Sequence, residues 1–173
     1  MNLKNNISDL YKTNKIMRPD KALKFLKLAE CQANLFSKDP NTKVGSIFLD
    51  SKTYQILSTG YNGFPININE TKERWVRPTK YSYVSHAEAN AISFAARNGV
   101  ALDKSIAVVT LFPCTSCAKL IIQSGISTVV TKKPDLNCIR WGNDFKIALE
   151  MFQEVGIHVI YYEDIQDLMD EDK

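Results

Sequence analysis

His86-Ala87-Glu88 and Pro113-Cys114-Thr115-Ser116-Cys117 are the residues of this chain whose types and spacing can do chemistry. An imidazole and two thiolates are good zinc ligands. Three protein ligands on a tetrahedral ion leave a fourth position open to water, which is the arrangement of a catalytic rather than a structural site. Both clusters fall where helices begin, and the positive helix ends favour the deprotonated thiols that bind metal. Glu88 stands two positions from His86, so on a helix it points elsewhere and need not be a ligand. It can instead face the water, take its proton and deliver it to a departing group.

Other readings of the same residues stay open at this point. A Cys-x-x-Cys pair can be a redox dithiol, but such a pair has no need of a His-x-Glu partner. A closed structural zinc site needs a fourth ligand, and nothing in the spacing of Cys31, Cys138 or His158 marks one. Cys31 is expected in the core on the apolar side of the first helix, Cys138 as a loop thiol and His158 as a strand histidine with ordinary partners.

The elements that must bring the two clusters together follow from periodicity. A helix is predicted to start near Arg18-Pro19-Asp20, to run through Leu23, Leu26, Ala29, Ala33 and Phe36, and to stop before Asp39-Pro40. Residues 44–49 and 55–60 read as a hairpin around Asp50-Ser51-Lys52, and residues 62–80 as a functional loop. Ser85 is the expected N-cap of a helix over 86–97 that Asn98-Gly99 ends. Strand 106–111, helix 115–124, strand 126–131, helix 143–155 and strand 157–161 follow, and residues 164–169 suggest a short terminal helix. Short links between alternating strands and helices imply right-handed crossovers and parallel pairing. The expected fold is an α/β three-layer sandwich with a mixed five-stranded sheet, in a single domain spanning 1–173 with its core at about 18–161.

With 173 residues, 45% hydrophobic and 24% charged, the makeup is that of a water-soluble globule. No apolar run reaches the length of a membrane helix, and the polar start lacks a secretory apolar region, so a cytoplasmic protein with no membrane partner is expected. A net charge of +3 is too small for a dedicated nucleic-acid binder. Charge is concentrated at the ends: residues 1–28 hold seven bases and two acids, and residues 161–173 hold six acids and one base. These read as solvated runs, with a contact between chains as the alternative.

Several separated motifs, in order, resemble the deoxycytidylate (dCMP) deaminases of the cytidine deaminase-like superfamily. They are Ser37-Lys38-Asp39-Pro40-Asn41-Thr42-Lys43-Val44-Gly45, Gly60-Tyr61-Asn62-Gly63-Phe64-Pro65, Lys80-Tyr81-Ser82-Tyr83-Val84-Ser85-His86-Ala87-Glu88, the Pro113-Cys114 to Cys117 cluster, and Arg140-Trp141. The His-x-Glu and Pro-Cys-x-x-Cys pair is itself the signature of zinc deaminases. The resemblance implies conversion of dCMP to dUMP, the precursor of thymidylate, with Zn2+ held by His86, Cys114 and Cys117 and with Glu88 shuttling protons.

By the same resemblance Asn41 binds the nucleoside sugar, and Ser37, Lys38 and Lys43 are near enough in sequence to meet a 5′-phosphate. Tyr61, Asn62 and Gly63 belong to a turn associated with an allosteric site, where dCTP with Mg2+ activates and dTTP inhibits. Some members stack a tyrosine near the substrate just after the fourth strand; here that stretch reads Lys132-Lys133-Pro134-Asp135, so the stacking role passes to Trp141. Many members are hexamers, which implies a homo-oligomer. The rivals are an enzyme that also deaminates dCTP, a deaminase of nucleic acids, and a non-catalytic nucleotide-binding protein. Near-neutral charge argues against the second, and an intact Glu88 against the third.

Overall fold

A computed structural model describes residues 17–171, with side chains to residue 167. Helix α1 (Pro19–Phe36) opens with proline in its first turn and Asp20 beside it, both favourable at a helix start. Its buried residues, Ala22, Ala29 and Ala33, form one stripe at helical spacing. Cys31 lies off that stripe and is exposed, which corrects the expectation of a core residue; Phe36, at the last turn, is exposed as well.

Five strands form one sheet: β1 (Gly45–Leu49), β2 (Ile56–Tyr61), β3 (Ile106–Val109), β4 (Thr128–Thr131) and β5 (His158–Tyr161). Their order is β2-β1-β3-β4-β5. The β1–β2 hairpin is antiparallel, β1 pairs antiparallel with β3, and β3, β4 and β5 run parallel. Between them lie α2 (Lys80–Tyr83), α3 (Ala87–Arg97), α4 (Thr115–Gln123) and α5 (Gly142–Glu154), with α6 (Tyr162–Glu171) after β5. The mixed α/β sandwich expected from the sequence is present.

Alternation along the strands builds two cores. Phe48, Ala107, Val109 and Val129 face α3, α4 and α5, where they pack with Ala91, Ala118, Ile121 and Phe152. Ile47, Leu49, Ile106, Val108 and Val130 face the other way, onto Ala22 and Ala29 of α1 and Ile165 of α6. Strands covered on both faces are buried at every position, as Ile106–Val109 and Thr128–Thr131 are, and the first of these is wholly apolar.

The placing of α3 depends on three small residues. Ser46 and Ser58 donate hydroxyl hydrogen bonds of 2.8 and 2.7 Å to the carbonyls of Ala87 and Ala91. At Gly60 the helix comes so close that a Cβ would lie 2.1 Å from Ala87 O and 2.6 Å from Ala91 N. The first turn of α3 is therefore seated directly on the hairpin. Ser85 is not its cap: the helix is capped at His86, and the backbone of Ser85 is bonded both ways to Gly63. The loop over 62–80 also carries a 3-10 turn, Glu73–Trp75, between β2 and α2. His158 is exposed on β5 and Cys138 is half-buried. Residues 1–16 of the basic run, and the side chains of 168–173 in the acidic one, lie outside the described residues. Among those described, no helix is long and apolar enough to cross a membrane.

Candidate metal centre and active-site cavity

His86 and Cys114 are the N-cap residues of α3 and α4, and neither side chain caps its own helix. Each turns instead toward the other. His86 Nδ1 lies 3.4 Å from Cys114 Sγ and 3.5 Å from Cys117 Sγ, and the three ligand atoms sit within 4.8 Å of one another. A tetrahedral zinc ion, with bonds of about 2.0 Å to nitrogen and about 2.3 Å to sulfur, separates its ligand atoms by about 3.5 to 3.8 Å. The cluster therefore fits zinc in both donor type and spacing.

Electrostatics single out Cys114 as the thiolate of the cluster. The Cys117 thiol donates to Cys114, which with help from His86 overcomes burial and lowers the Cys114 pKa to about 4. That donated hydrogen bond, together with burial, pushes the Cys117 thiol up. His86 is raised by its bond to Cys114, against burial, with a smaller contribution from Glu88. Two helix N-termini converge here, adding positive potential beside the thiolate.

Glu88 is 3% exposed, and burial holds its carboxyl above the usual carboxylate range, only partly offset by His86. It hydrogen-bonds with Cys117 and lines a cavity with His86 and Cys114. A buried carboxyl with a raised pKa beside such a cluster is suited to both accept and return a proton.

The cavity wall joins aromatic and polar sides. Phe112 packs edge-on to Phe145, Trp141 stacks on Phe145, and Tyr81 meets Trp141 edge-on. Trp141 is thus placed in the cavity wall. Asp39, Thr42, Asn62 and Lys80 line the cavity too, and so do Arg77 and Arg140. Lys80 donates to Asp39 Oδ2 at 2.6 Å, with both side chains buried. Asn62 Nδ2 donates to the same oxygen and to Thr42 O, while Asn62 Oδ1 accepts from the Ser37 hydroxyl and the Val44 amide. This knot fastens the 37–44 loop to the end of β2.

Ser37, Lys38, Asn41 and Lys43, expected at the sugar and phosphate, do not line the cavity. The Ser37 hydroxyl is buried in the knot; Lys38 pairs with Glu70 at 3.2 Å; the backbone N–H of Asn41 donates to Asp39; Lys43 Nζ donates to Asn34 O. Asn62 reaches the cavity, Tyr61 stacks on Phe36, and Gly63 is bridged to Ser85.

Sequence reading missed Asp39, Lys80, Arg77 and Asp144. Asp144, in the first turn of α5, accepts from the Thr115 amide at 2.7 Å and the Thr115 hydroxyl at 2.8 Å. Lys80 opens one of the motifs and carries a signal of its own, since a lysine at a helix start gains nothing from the helix dipole. The other three carry no local signal.

A deaminase of Aliivibrio fischeri, described as an uncharacterized deaminase in luxG 3′ region, is 37% identical over 141 residues, covering 81% of this chain and 92% of that one. Human deoxycytidylate deaminase is 43% identical over 100 residues, 54% of each chain, so the match spans about half the length of that relative. The dCMP deaminase of cyanophage S-TIM5, solved in complex with dCMP and dUMP, superposes with a TM-score of 0.67 at 28% identity, over 84% of this chain and 98% of that one. The model of the cytidine and deoxycytidylate deaminase zinc-binding region matches residues 19–133, which include His86, Glu88, Cys114 and Cys117. On that match the chain belongs to the cytidine and deoxycytidylate deaminase family.

Proposed function

We propose that this protein is a zinc-dependent hydrolase that converts dCMP to dUMP and ammonia, supplying dUMP for thymidylate, in one catalytic domain with its core at about 18–161. The observation that carries the reading is the convergence of His86, Cys114 and Cys117 with the buried Glu88 at a cavity that Arg77 and Arg140 also line. Relatives named deoxycytidylate deaminase, and a structural neighbour holding dCMP and dUMP, support the choice of substrate.

Zinc, which His86, Cys114 and Cys117 would hold, would supply the Lewis acidity that makes water a nucleophile near neutral pH. Glu88 takes a proton from the attacking water as the water oxygen bonds to C4 of cytosine, and returns that proton to ring N3. Glu88 then carries the proton of the new C4 hydroxyl to N4, so that the C4–N4 bond breaks, the C4 carbonyl forms and ammonia leaves. Trp141 and Phe112 give the cavity apolar surface for the base, and burial of Glu88 keeps the shuttled proton from bulk solvent.

Asp39 and Lys80 neutralise each other, so the exposed guanidiniums of Arg77 and Arg140 leave that part of the cavity positive, which suits a 5′-phosphate dianion. These arginines replace Ser37, Lys38 and Lys43 as phosphate contacts in this reading. Response to dCTP with Mg2+ and to dTTP is a further part of it that rests on the family resemblance of the Tyr61-Asn62-Gly63 turn, and assembly into a homohexamer rests on the resemblance as a whole.

The test is ammonia release by zinc-loaded full-length protein from dCMP, dCTP and deoxycytidine, with and without dCTP or dTTP as effector. Preferred turnover of dCMP is expected. Equal or faster turnover of dCTP would replace the substrate assignment, and no turnover of any of the three would overturn the enzyme itself.

A further inference from the structure

The Cys114 side chain leaves a gap in local structure. An N-cap residue normally accepts a hydrogen bond from an unpaired amide of the first turn, and Ser, Thr, Asp and Asn do this well. Cys114 occupies the N-cap of α4 with its sulfur turned to His86, and a cap there would serve the second or third amide of the helix, not the first. The amide of Thr115, at the first helical position, takes its partner from another element: Asp144 Oδ2, 2.7 Å away on the first turn of α5. The second carboxylate oxygen accepts the Thr115 hydroxyl at 2.8 Å. The grip is two-pronged and falls on the residue directly after Cys114 and two before Cys117.

The carboxylate is itself held. Gly142, at the start of α5, is pressed against the 136–137 backbone, where a Cβ would lie 2.4 Å from Leu136 O. Phe145, the next residue after Asp144, is buried against Phe112. Helix α5 thus cannot slide along α4 without disturbing the aromatic core.

We propose that Asp144 is a positioning residue for the metal centre: its two hydrogen bonds to Thr115 pair a helix-start amide that no local cap reaches and hold the Cys114 and Cys117 sulfurs at ligand spacing. The proposal rests on the reading that these sulfurs and His86 hold zinc, and it makes no use of the substrate assignment. Asp144 lies outside the cavity lining, so it acts through Thr115 and not on the nucleotide.

The test compares Asp144→Ala, Asp144→Asn and Thr115→Val in the full chain. Zinc release to a chelator is timed, and the visible absorption of the cobalt-substituted protein is recorded, because its band intensities report tetrahedral geometry. Asp144→Ala is expected to release zinc about 10 to 100 times faster, the range for loss of a group that orients metal ligands, with altered cobalt bands. Asp144→Asn, whose amide can still accept from the Thr115 N–H and meet its hydroxyl, is expected to stay near the parent in both. Thr115→Val loses only the hydroxyl bond and should fall between. Unchanged zinc release and cobalt bands in Asp144→Ala overturn the proposal, as does an Asp144→Asn variant as impaired as the alanine one, since charge rather than hydrogen bonding would then be responsible. If Asp144→Ala does not fold, Thr115→Val decides: release and bands equal to the parent overturn it. Failure of zinc to bind the parent protein would instead sink the metal reading beneath it.

Discussion

Lys80 Nζ lies 2.6 Å from Asp39 Oδ2, and both side chains are withdrawn from solvent in the cavity wall. Asp39 Oδ1 meanwhile accepts the amides of Asn41 and Thr42. Burial raises the Asp39 pKa, but the Lys80 hydrogen bond and the two amides outweigh it and leave the group below its ordinary value. Its contribution to stability is therefore complete above the ordinary carboxylate range and lost as pH falls through the lowered folded value.

Removing one partner strands a charge in the wall. Lys80→Met is expected to lower unfolding free energy by about 3–5 kcal/mol at neutral pH, as for other broken buried pairs. In Asp39→Asn the fall in stability from about pH 5 to about pH 3 should be shallower than in the parent, measured by urea titration. Parallel acid curves for the two would remove Asp39 from this role.

Glu88→Gln keeps the three ligands but loses the proton carrier. Zinc content should remain at the parent level while kcat falls by about 100- to 10,000-fold. Cys117→Ala should separate the other way, with metal lost in elemental analysis of folded protein. Normal turnover in the first variant, or full zinc in the second, contradicts the assignment.

Arg140 donates to Tyr81 OH at 2.6 Å, so its guanidinium is partly fixed where the phosphate is proposed to sit. A charge-assisted hydrogen bond contributes about 1.5–3 kcal/mol, so Arg140→Ala should lower kcat/KM for dCMP by about 10- to 100-fold. Deoxycytidine, lacking the phosphate, should be affected far less. An equal loss on both substrates would place Arg140 away from the phosphate.

Gly60→Ala puts a methyl group into the backbone of α3, 2.1 Å from Ala87 O. Overpacking of this kind costs about 1–3 kcal/mol or more, and here the displaced turn carries Glu88. A lowered melting temperature with kcat reduced beyond the loss of folded protein is expected. A variant as stable and active as the parent would mean that α3 does not sit where the glycine places it.

Local signals in the sequence marked His86, Cys114 and Cys117 as one cluster, Glu88 beside it and the order of elements. Donor chemistry and helix starts are encoded within a few residues, as in Pro113 to Cys117 and His86 to Glu88, and the 3.6- and 2-residue periods survive without any knowledge of packing. Nearness in the chain suggests Ser37, Lys38 and Lys43 as phosphate contacts, and family resemblance suggests Asn41 at the sugar. Where such side chains point depends on the partners that long-range folding brings, as Asn62 takes the Ser37 hydroxyl and Glu70 pairs with Lys38. Cys31 was misplaced because a helix face is buried only where another element covers it. The Asp39–Lys80 pair spans 41 residues and the Thr115–Asp144 bond 29. No local pattern records such pairs, because their hydrogen bonds exist only once the strands have set the helix ends against one another.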